Sequence, residues 1–136
     1  MVYWSGTGNT EKMAELIAKG ARLAGAEVSV INTDAARPGD MSGYDVIALG
    51  SPALGDEDIE ESEMSPFVTS VIPLLAEKHA ALFGSCGWGD GEWLRSWASR
   101  LEASSVHTED CLAVKETPEG AEADKCAEFG KRLAGK

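Results

Sequence analysis

The chain has 136 residues and carries 23 acidic against 12 basic residues, for a formal charge of −11. This length predicts a single domain over residues 1–136, and the acidic balance argues against nucleic acid or an anionic membrane as a partner, because both need basic patches. The sequence has no secretory signal, no stretch long enough to span a membrane and no metal-ligand spacing among its three cysteines, so we expect a cytoplasmic protein with reduced thiols and no bound metal.

The predicted elements alternate between strands and helices along the chain. Short apolar runs predict strands at 1–4, 27–32, 45–50 and 79–84, and two strand-like pieces within 106–114, parted by Glu109 and Asp110. Apolar residues at helical spacing predict helices at 10–24, 66–75, 92–103 and 120–133. This alternation is typical of βαβ units, so we predict an α/β fold with a five-stranded parallel sheet and helices on both faces.

A polar loop with two glycines follows the first predicted strand. It consists of Ser5, Gly6, Thr7, Gly8, Asn9 and Thr10. Glycines let the backbone approach a ligand closely, and the amides at the start of the next helix point at any bound anion. The loop lacks the Lys of a nucleoside-triphosphatase P-loop, and Glu11 replaces the third glycine of the dinucleotide fingerprint. Taken alone, it fits either a phosphate site or a polar turn in which Asn9 or Thr10 caps the helix.

The loops after the third and fourth predicted strands are also unusual. Residues 51–57 read SPALGDE and residues 85–91 read SCGWGDG. Trp88 lies between two glycines in the second of these loops, where an indole either stacks on a flat partner, which we favour, or packs back onto the protein. We assign Trp4 to the core, and the predicted helix 92–103 places four apolar residues on one buried face: Trp93, Leu94, Trp97 and Leu101. Loops that follow parallel strands emerge at one edge of the sheet, so we expect the three loops to meet there and bind a ligand.

The three loops together resemble those of short-chain flavodoxins, and the resemblance covers the chain from end to end. The matching stretches are YWSGTGNTEKMAELIAKG at 3–20, ALGDE at 53–57, LFGSCGWGDGEW at 82–93 and EFGKRLA at 128–134. The resemblance implies a sheet in the strand order 2-1-3-4-5, with FMN bound where the strand order reverses between strands one and three.

The resemblance also implies roles for individual residues. Side-chain hydroxyls and an amide resemble the shell around the FMN phosphate: Ser5, Thr7, Asn9 and Thr10. The isoalloxazine ring is expected between Leu54 and Trp88, with Glu57 accepting from the flavin N3–H. Glycine backbone groups are expected near the flavin N5 and the pyrimidine oxygen: the carbonyl of Gly55 and the amides of Gly87 and Gly89.

The complete predicted cofactor site includes the neighbours of these residues. It comprises Ser5, Gly6, Thr7, Gly8, Asn9, Thr10, Pro52, Ala53, Leu54, Gly55, Asp56, Glu57, Ser85, Cys86, Gly87, Trp88, Gly89 and Gly91. Two of these positions depart from the family pattern, because Leu54 stands where close relatives often have Met and Cys86 where they have Tyr. The stretch 115–117 matches no clear pattern and is assigned no role.

The function that the resemblance implies is a low-potential, one-electron carrier that cycles FMN between semiquinone and hydroquinone. Such a carrier is not an enzyme with its own substrate, because the chemistry belongs to the cofactor. Carboxylates after the third strand would disfavour the anionic reduced flavin: Asp56, Glu57, Glu60, Glu61 and Glu63. We expect a monomer whose partners are redox proteins with basic docking faces.

Two other functions are alternatives to the electron carrier. An FMN-dependent oxidoreductase acting on quinones or NAD(P)H ranks second, because the chain shows no basic cluster for the phosphates of a nicotinamide nucleotide. A phosphoacceptor receiver domain shares the fold, but it needs acidic residues where Trp4 and Ser5 end the first strand.

Overall fold

A computed structural model of the protein describes residues 1–6, 8–53, 59–75, 78–86 and 91–135. The elements in chain order are β1 (Val2–Tyr3), α1 (Asn9–Leu23), β2 (Ile31–Asn32), a 3-10 helix (Pro38–Gly43), β3 (Val46–Gly50), α2 (Met64–Leu75), β4 (His79–Cys86), α3 (Glu92–Ala103), β5 (Thr108–Lys115) and α4 (Ala121–Ala134). The five strands form one parallel sheet in the order β2-β1-β3-β4-β5. The predicted fold class and strand order are confirmed.

Several strands have different lengths from those predicted, and β1 spans only Val2–Tyr3 within the predicted 1–4. β2 pairs with β1 over only two residues, whereas the alternation of apolar residues predicts a strand over 27–32. β4 ends at Cys86, so the prediction that Ser85 and Cys86 belong to an irregular loop is wrong. Both residues are buried and pair with β5, and these pairings extend the strand toward the glycine-rich segment.

β5 is one continuous strand, not the two predicted pieces. Ala80 pairs with Thr108 and Ala81 with Asp110, so the register shift at this point accommodates Glu109 as a bulge. The strand lies at an edge of the sheet. There, one carboxylate oxygen of Asp110 accepts from the amide of Cys111 at 3.0 Å and the other from Arg132 Nε at 2.8 Å.

The helices have nearly the predicted bounds, except that α2 begins at Met64, ahead of Pro66. Each helix buries an apolar face. In α3 the buried side chains are the four predicted ones: Trp93, Leu94, Trp97 and Leu101. Within the described part of the chain, no helix has the length and apolar character that crossing a membrane requires.

The sheet separates two apolar cores, because successive strand side chains point to opposite faces. Ile47, Leu49 and Leu82 belong to the core under α2 and α3, and Ala48 and Phe83 to the core under α1 and α4. We call these the α2/α3 face and the α1/α4 face.

On the α1/α4 face, the two helices approach each other through glycines. A Cβ on Gly20 would lie 2.0 Å from the carbonyl oxygen of Ala127, and a Cβ on Gly130 would lie 1.9 Å from that of Ile17. Neither position has room for a methyl group, so the helix backbones are in direct contact. This contact fixes α1, whose first turn follows the polar loop.

Candidate functional site

The polar loop leads into α1 through a glycine in the left-handed region. Gly8 is the N-cap residue with a φ of 96°, and its amide donates to Ser5 Oγ at 3.0 Å. No side chain in the described residues caps α1, so the alternative in which Asn9 or Thr10 caps the helix is not the arrangement found. The first amides of a helix have no acceptor within it, so this turn offers N–H groups to an anion. Thr7 lies outside the described residues.

The hydroxyl of Thr10 connects this loop to the end of β4. Thr10 Oγ1 and Ser85 Oγ are 3.1 Å apart, and both residues are buried. A hydroxyl can donate once and accept twice. If Ser85 is the donor, Thr10 keeps its own proton for a ligand at the start of α1. Two residues of the predicted cofactor site are therefore brought together from distant parts of the sequence.

The loop after β5 reaches the same place, which the sequence analysis missed. Thr117 Oγ1 donates to Asn9 Oδ1 at 2.8 Å, and the amide of Glu116 donates to the carbonyl of Cys86 at 2.7 Å. Glu116 has a φ of 56°, which is uncommon for a residue other than glycine. The signal was available in the topology, because the loop after β5 emerges at the same edge as the other three.

Part of the predicted flavin-contacting segments lies outside the described residues, namely Leu54, Gly55, Asp56, Glu57, Gly87, Trp88 and Gly89. The flanking residues are described. Pro52 and Ala53 are half-buried, and the Ala53 amide donates to the carbonyl of Ser85 at 3.0 Å. Gly91 is buried and is the N-cap residue of α3, with a φ of 87°. The roles of the seven undescribed residues stay predictions.

A buried carboxylate ends the loop after β3. Glu60 is only 5% exposed, and its two oxygens accept from the amides of Ser62 and Glu63 at 2.6 Å, from the amide of Met64 at 2.9 Å and from the Ser62 hydroxyl. Its own amide donates to Ser51 Oγ at 2.9 Å. These bonds supply acceptors for amides at the start of α2, so that helix begins before the predicted Pro66.

Two opposing effects act on the pKa of Glu60. Burial raises the pKa, but the hydrogen bonds from the Ser62 side chain and from the three amides stabilise the ionised form. The hydrogen bonds prevail, so the pKa lies below the ordinary value for a glutamate. The carboxylate is therefore charged at neutral pH, although it is buried.

The acidic residues after β3 do not share one environment. Glu60 is buried, and Asp56 and Glu57 lie outside the described residues. Glu63 is exposed, and its Oε1 accepts from Trp4 Nε1 at 3.1 Å. Trp4, for which the sequence predicts a core position, is only half-buried and packs against the α2/α3 core with part of its surface.

Comparison with known proteins gives concordant matches over almost the entire chain. A sequence model of the flavodoxin family matches residues 1–130. The chain is 47% identical to a flavodoxin of Clostridium beijerinckii over 135 residues, which cover 98% of this chain and 97% of the relative. It is 42% identical to a flavodoxin of Megasphaera elsdenii over 134 residues, covering 98% and 96% of the two chains. The solution structure of two-electron reduced Megasphaera elsdenii flavodoxin superposes with a TM-score of 0.90, at 40% identity and full coverage of both chains.

Proposed function

Because the chain belongs to the flavodoxin family, whose members are electron carriers that bind FMN, we propose that it passes single electrons between redox proteins through an FMN at the carboxyl edge of its sheet. Family membership confirms the predicted relationship, the FMN cofactor and the carrier function. The alternative of an FMN-dependent oxidoreductase is not favoured by these relatives.

The observation that supports the location best is the start of α1. Its first-turn amides have no side-chain cap in the described residues, and the hydroxyls of Ser5 and Thr10 and the amide of Asn9 are close by in the sequence. A Cβ on Gly8 would meet no atom of the described residues within 4 Å, so that part of the structure leaves the turn open on this side. Neutral donors around a helix N-terminus suit a phosphate monoester. The residues therefore fit the phosphate end of FMN.

When bound, FMN supplies the one-electron chemistry, and the protein supplies binding, orientation and electrostatics. In the proposed site Ser5, Asn9 and Thr10 hold the phosphate, with Ser85 and Thr117 orienting the Thr10 hydroxyl and the Asn9 amide. The predicted residues of the undescribed segments would cover the ring: Leu54 and Trp88 on its faces, with Glu57 at N3. No side chain has to act as a nucleophile or a base, and we propose that the protein has no substrate of its own.

The exposed acidic residues support a low redox potential of the bound FMN and a partner with a basic docking face. Exposed carboxylates lie in or beside the loops at the carboxyl edge, namely Glu61, Glu63, Glu92, Glu116 and Glu119. Negative charges there oppose the addition of an electron to a bound flavin. They also attract a partner with a basic docking face. We propose that the chain acts as a single-domain monomer in the cytoplasm, in keeping with its free cysteines.

Titration of the apoprotein with FMN and with riboflavin tests the phosphate site. We expect at least a hundredfold preference for FMN, because each hydrogen bond to a charged group contributes about 1.5–3 kcal/mol. Ser5→Ala and Thr10→Val should each weaken FMN binding by tenfold or more and leave riboflavin binding nearly unchanged.

Thr69→Val on α2 is the matched control for these variants, because among the described residues this exposed hydroxyl bonds to the Ser65 carbonyl within α2 and to Arg100. It should leave both affinities unaltered. Equal affinities of the unsubstituted chain for FMN and riboflavin would contradict the proposed phosphate site.

A further inference from the structure

We propose that Glu60 is a positioning residue for the cofactor site, which closes the loop after β3 and connects that loop to the phosphate loop through Glu63 and Trp4. The inference rests on the proposed FMN site and concerns how this chain holds it in place. Glu60 itself is not among the residues predicted to contact FMN.

First, a hydrogen bond joins the two ends of the loop after β3. The Glu60 amide donates to Ser51 Oγ, nine positions earlier in the chain, and Ser51 Oγ donates to the carbonyl of Pro52 at 3.0 Å. The chain therefore leaves β3 at Ser51 and returns to the same side chain before α2 begins. The predicted flavin contacts Leu54, Gly55 and Glu57 belong to the segment between these two residues, which lies outside the described residues.

Both sides of this closure are anchored to regular structure. Ser51 is fully buried, its amide donates to the carbonyl of Phe83 at 3.1 Å, and its carbonyl accepts from Trp93 Nε1 at 3.1 Å. Glu60 accepts from amides at the start of α2 through its carboxylate and from the Ser65 amide through its carbonyl. The contact between Ser51 and Glu60 therefore joins the sheet and α3 to α2.

The second step leads to the phosphate loop. The amide of Glu63 donates to Glu60 Oε1, and the side chain of Glu63 accepts from Trp4 Nε1. The six-membered ring of Trp4 lies 3.0 Å from the place that a Cβ on Gly6 would occupy. The indole therefore lies against the first glycine of the loop, held by the residue that Glu60 orients.

These contacts can influence redox behaviour without any contact to the flavin. A protein shifts a redox equilibrium only by binding the oxidised and reduced cofactor with different affinities. Closing the loop in one geometry favours whichever state fits that geometry better. Loosening the closure should therefore change the ratio of the two affinities as well as the affinity itself.

The experiment uses the full chain in four forms: unsubstituted, Ser51→Ala, Glu60→Gln and the double variant. Spectroelectrochemistry of the FMN-loaded proteins gives both one-electron potentials, and hydrogen exchange of the apoproteins gives the protection of the Glu60 amide. We expect each single variant to change the affinity ratio between two oxidation states roughly tenfold, which corresponds to about 59 mV for one electron. The Glu60 amide should exchange at least tenfold faster in the Ser51→Ala apoprotein. The double variant should shift the potentials by less than the sum of the single shifts, because the substitutions weaken successive contacts of one residue: its amide to Ser51 and its carboxylate to the start of α2.

Glu61→Gln is the matched control, because it removes the same charge from the exposed neighbouring residue. A purely electrostatic effect acts through space and weakens as salt is added. Glu61→Gln should therefore give only a small shift that salt reduces, whereas the shifts of Ser51→Ala, which removes no charge, should persist in high salt. Equal shifts for Glu60→Gln and Glu61→Gln, together with none for Ser51→Ala, would overturn the proposal.

A second outcome would also overturn it. If Ser51→Ala and Glu60→Gln lower only the unfolding midpoint and leave the potentials, FMN affinity and apoprotein exchange unmoved, Glu60 is a helix cap and nothing more. Should Glu60→Gln fail to fold, Ser51→Ala and Glu60→Asp decide the question by the same measurements. Failure of the unsubstituted chain to bind FMN would contradict the proposed function, whereas FMN binding with unmoved potentials in the variants contradicts this inference alone.

Discussion

The two faces of the sheet are packed in opposite ways. On the α1/α4 face, Gly20 and Gly130 let the helix backbones touch, so the contact has no room for one added carbon atom. On the α2/α3 face, large side chains fill the space, among them the buried Trp93, Trp97 and Leu101. Added atoms should therefore damage the first face and removed atoms the second.

The difference extends to the two ends of the proposed cofactor site. The phosphate end begins at α1, which is held by backbone contact with α4. The loop after β3 is held by hydrogen bonds among Ser51, Glu60 and Trp93 on the other face. Backbone packing against α4 adds to the hydrogen bonds of Thr10 and Asn9 at the first end, whereas hydrogen bonds hold the second, so the two ends should respond to different substitutions.

The largest expected effect is that of a methyl group added between α1 and α4. Gly130→Ala should lower the free energy of unfolding by more than about 3 kcal/mol, because the new Cβ clashes with backbone atoms that cannot rotate away. Urea unfolding measures the loss. Gly135→Ala is the control near the end of the same helix, where a Cβ would lie 3.5 Å from its nearest neighbour and should cost little. Equal midpoints for the two variants would show that the helices can move apart.

A substitution that removes side-chain atoms tests the α2/α3 face. Leu101→Ala should cost about 2–3 kcal/mol of unfolding free energy, because it removes buried methyl groups and leaves a cavity. The same urea experiment measures it. A loss below about 1 kcal/mol would mean that the large side chains repack and that this face is more adaptable than its burial indicates.

The two buried tryptophans of α3 allow a comparison within the α2/α3 face. Trp93 donates its indole N–H to the carbonyl of Ser51, whereas the buried N–H of Trp97 has no acceptor among the described residues. Replacement by Phe removes the same atoms at both positions. Trp93→Phe should be the more destabilising by about 1–2 kcal/mol, because only there does the loss leave a buried carbonyl without its donor. Thermal unfolding of the two variants side by side gives the difference, and equal losses would refute the assigned role of Trp93.

The smallest expected effect is a change in acid stability. The folded-state pKa of Glu60 is lowered, so its contribution is fully present above the unfolded-state pKa of about 4.3 and is lost as the pH falls through the folded-state value. In Glu60→Gln the free energy of unfolding should be lower at neutral pH and should decline less steeply over this acid range. Urea unfolding at a series of pH values measures the slope, and parallel curves for the two proteins would contradict the lowered pKa.

The sequence predicts those parts of the fold that local pattern determines. The apolar spacing in α3 gives its bounds and all four of its buried residues, because a helix forms its own hydrogen bonds. Strand lengths depend on neighbours. β2 is short and β5 continuous because pairing with another strand decides where a strand ends, and neither pairing is visible in the local pattern.

The candidate site likewise has parts that the sequence predicts and parts that it does not. The convergence of the loops follows from the topology, and the hydroxyls of Ser5 and Thr10 are visible in the sequence. The contact of Thr117 with Asn9 comes directly after Glu116, whose backbone is left-handed. The sequence does not predict this conformation, because it is uncommon for residues other than glycine. Glu60 reads as one more surface acid, since its partners become apparent only when α2 is placed against β3.

The hydrogen bonds of the Asp110 carboxylate bear on aggregation in concentrated solutions of the protein. An exposed edge strand presents unpaired amides on which another chain can grow the sheet, and this is a common start of aggregation. At β5 the amide of Cys111 is already bonded to Asp110, which Arg132 of α4 holds from the other side, and Glu109 bulges the strand nearby. At the opposite edge, β2 offers only two paired residues as a template. These features disfavour strand-to-strand joining of two copies at either edge of the sheet.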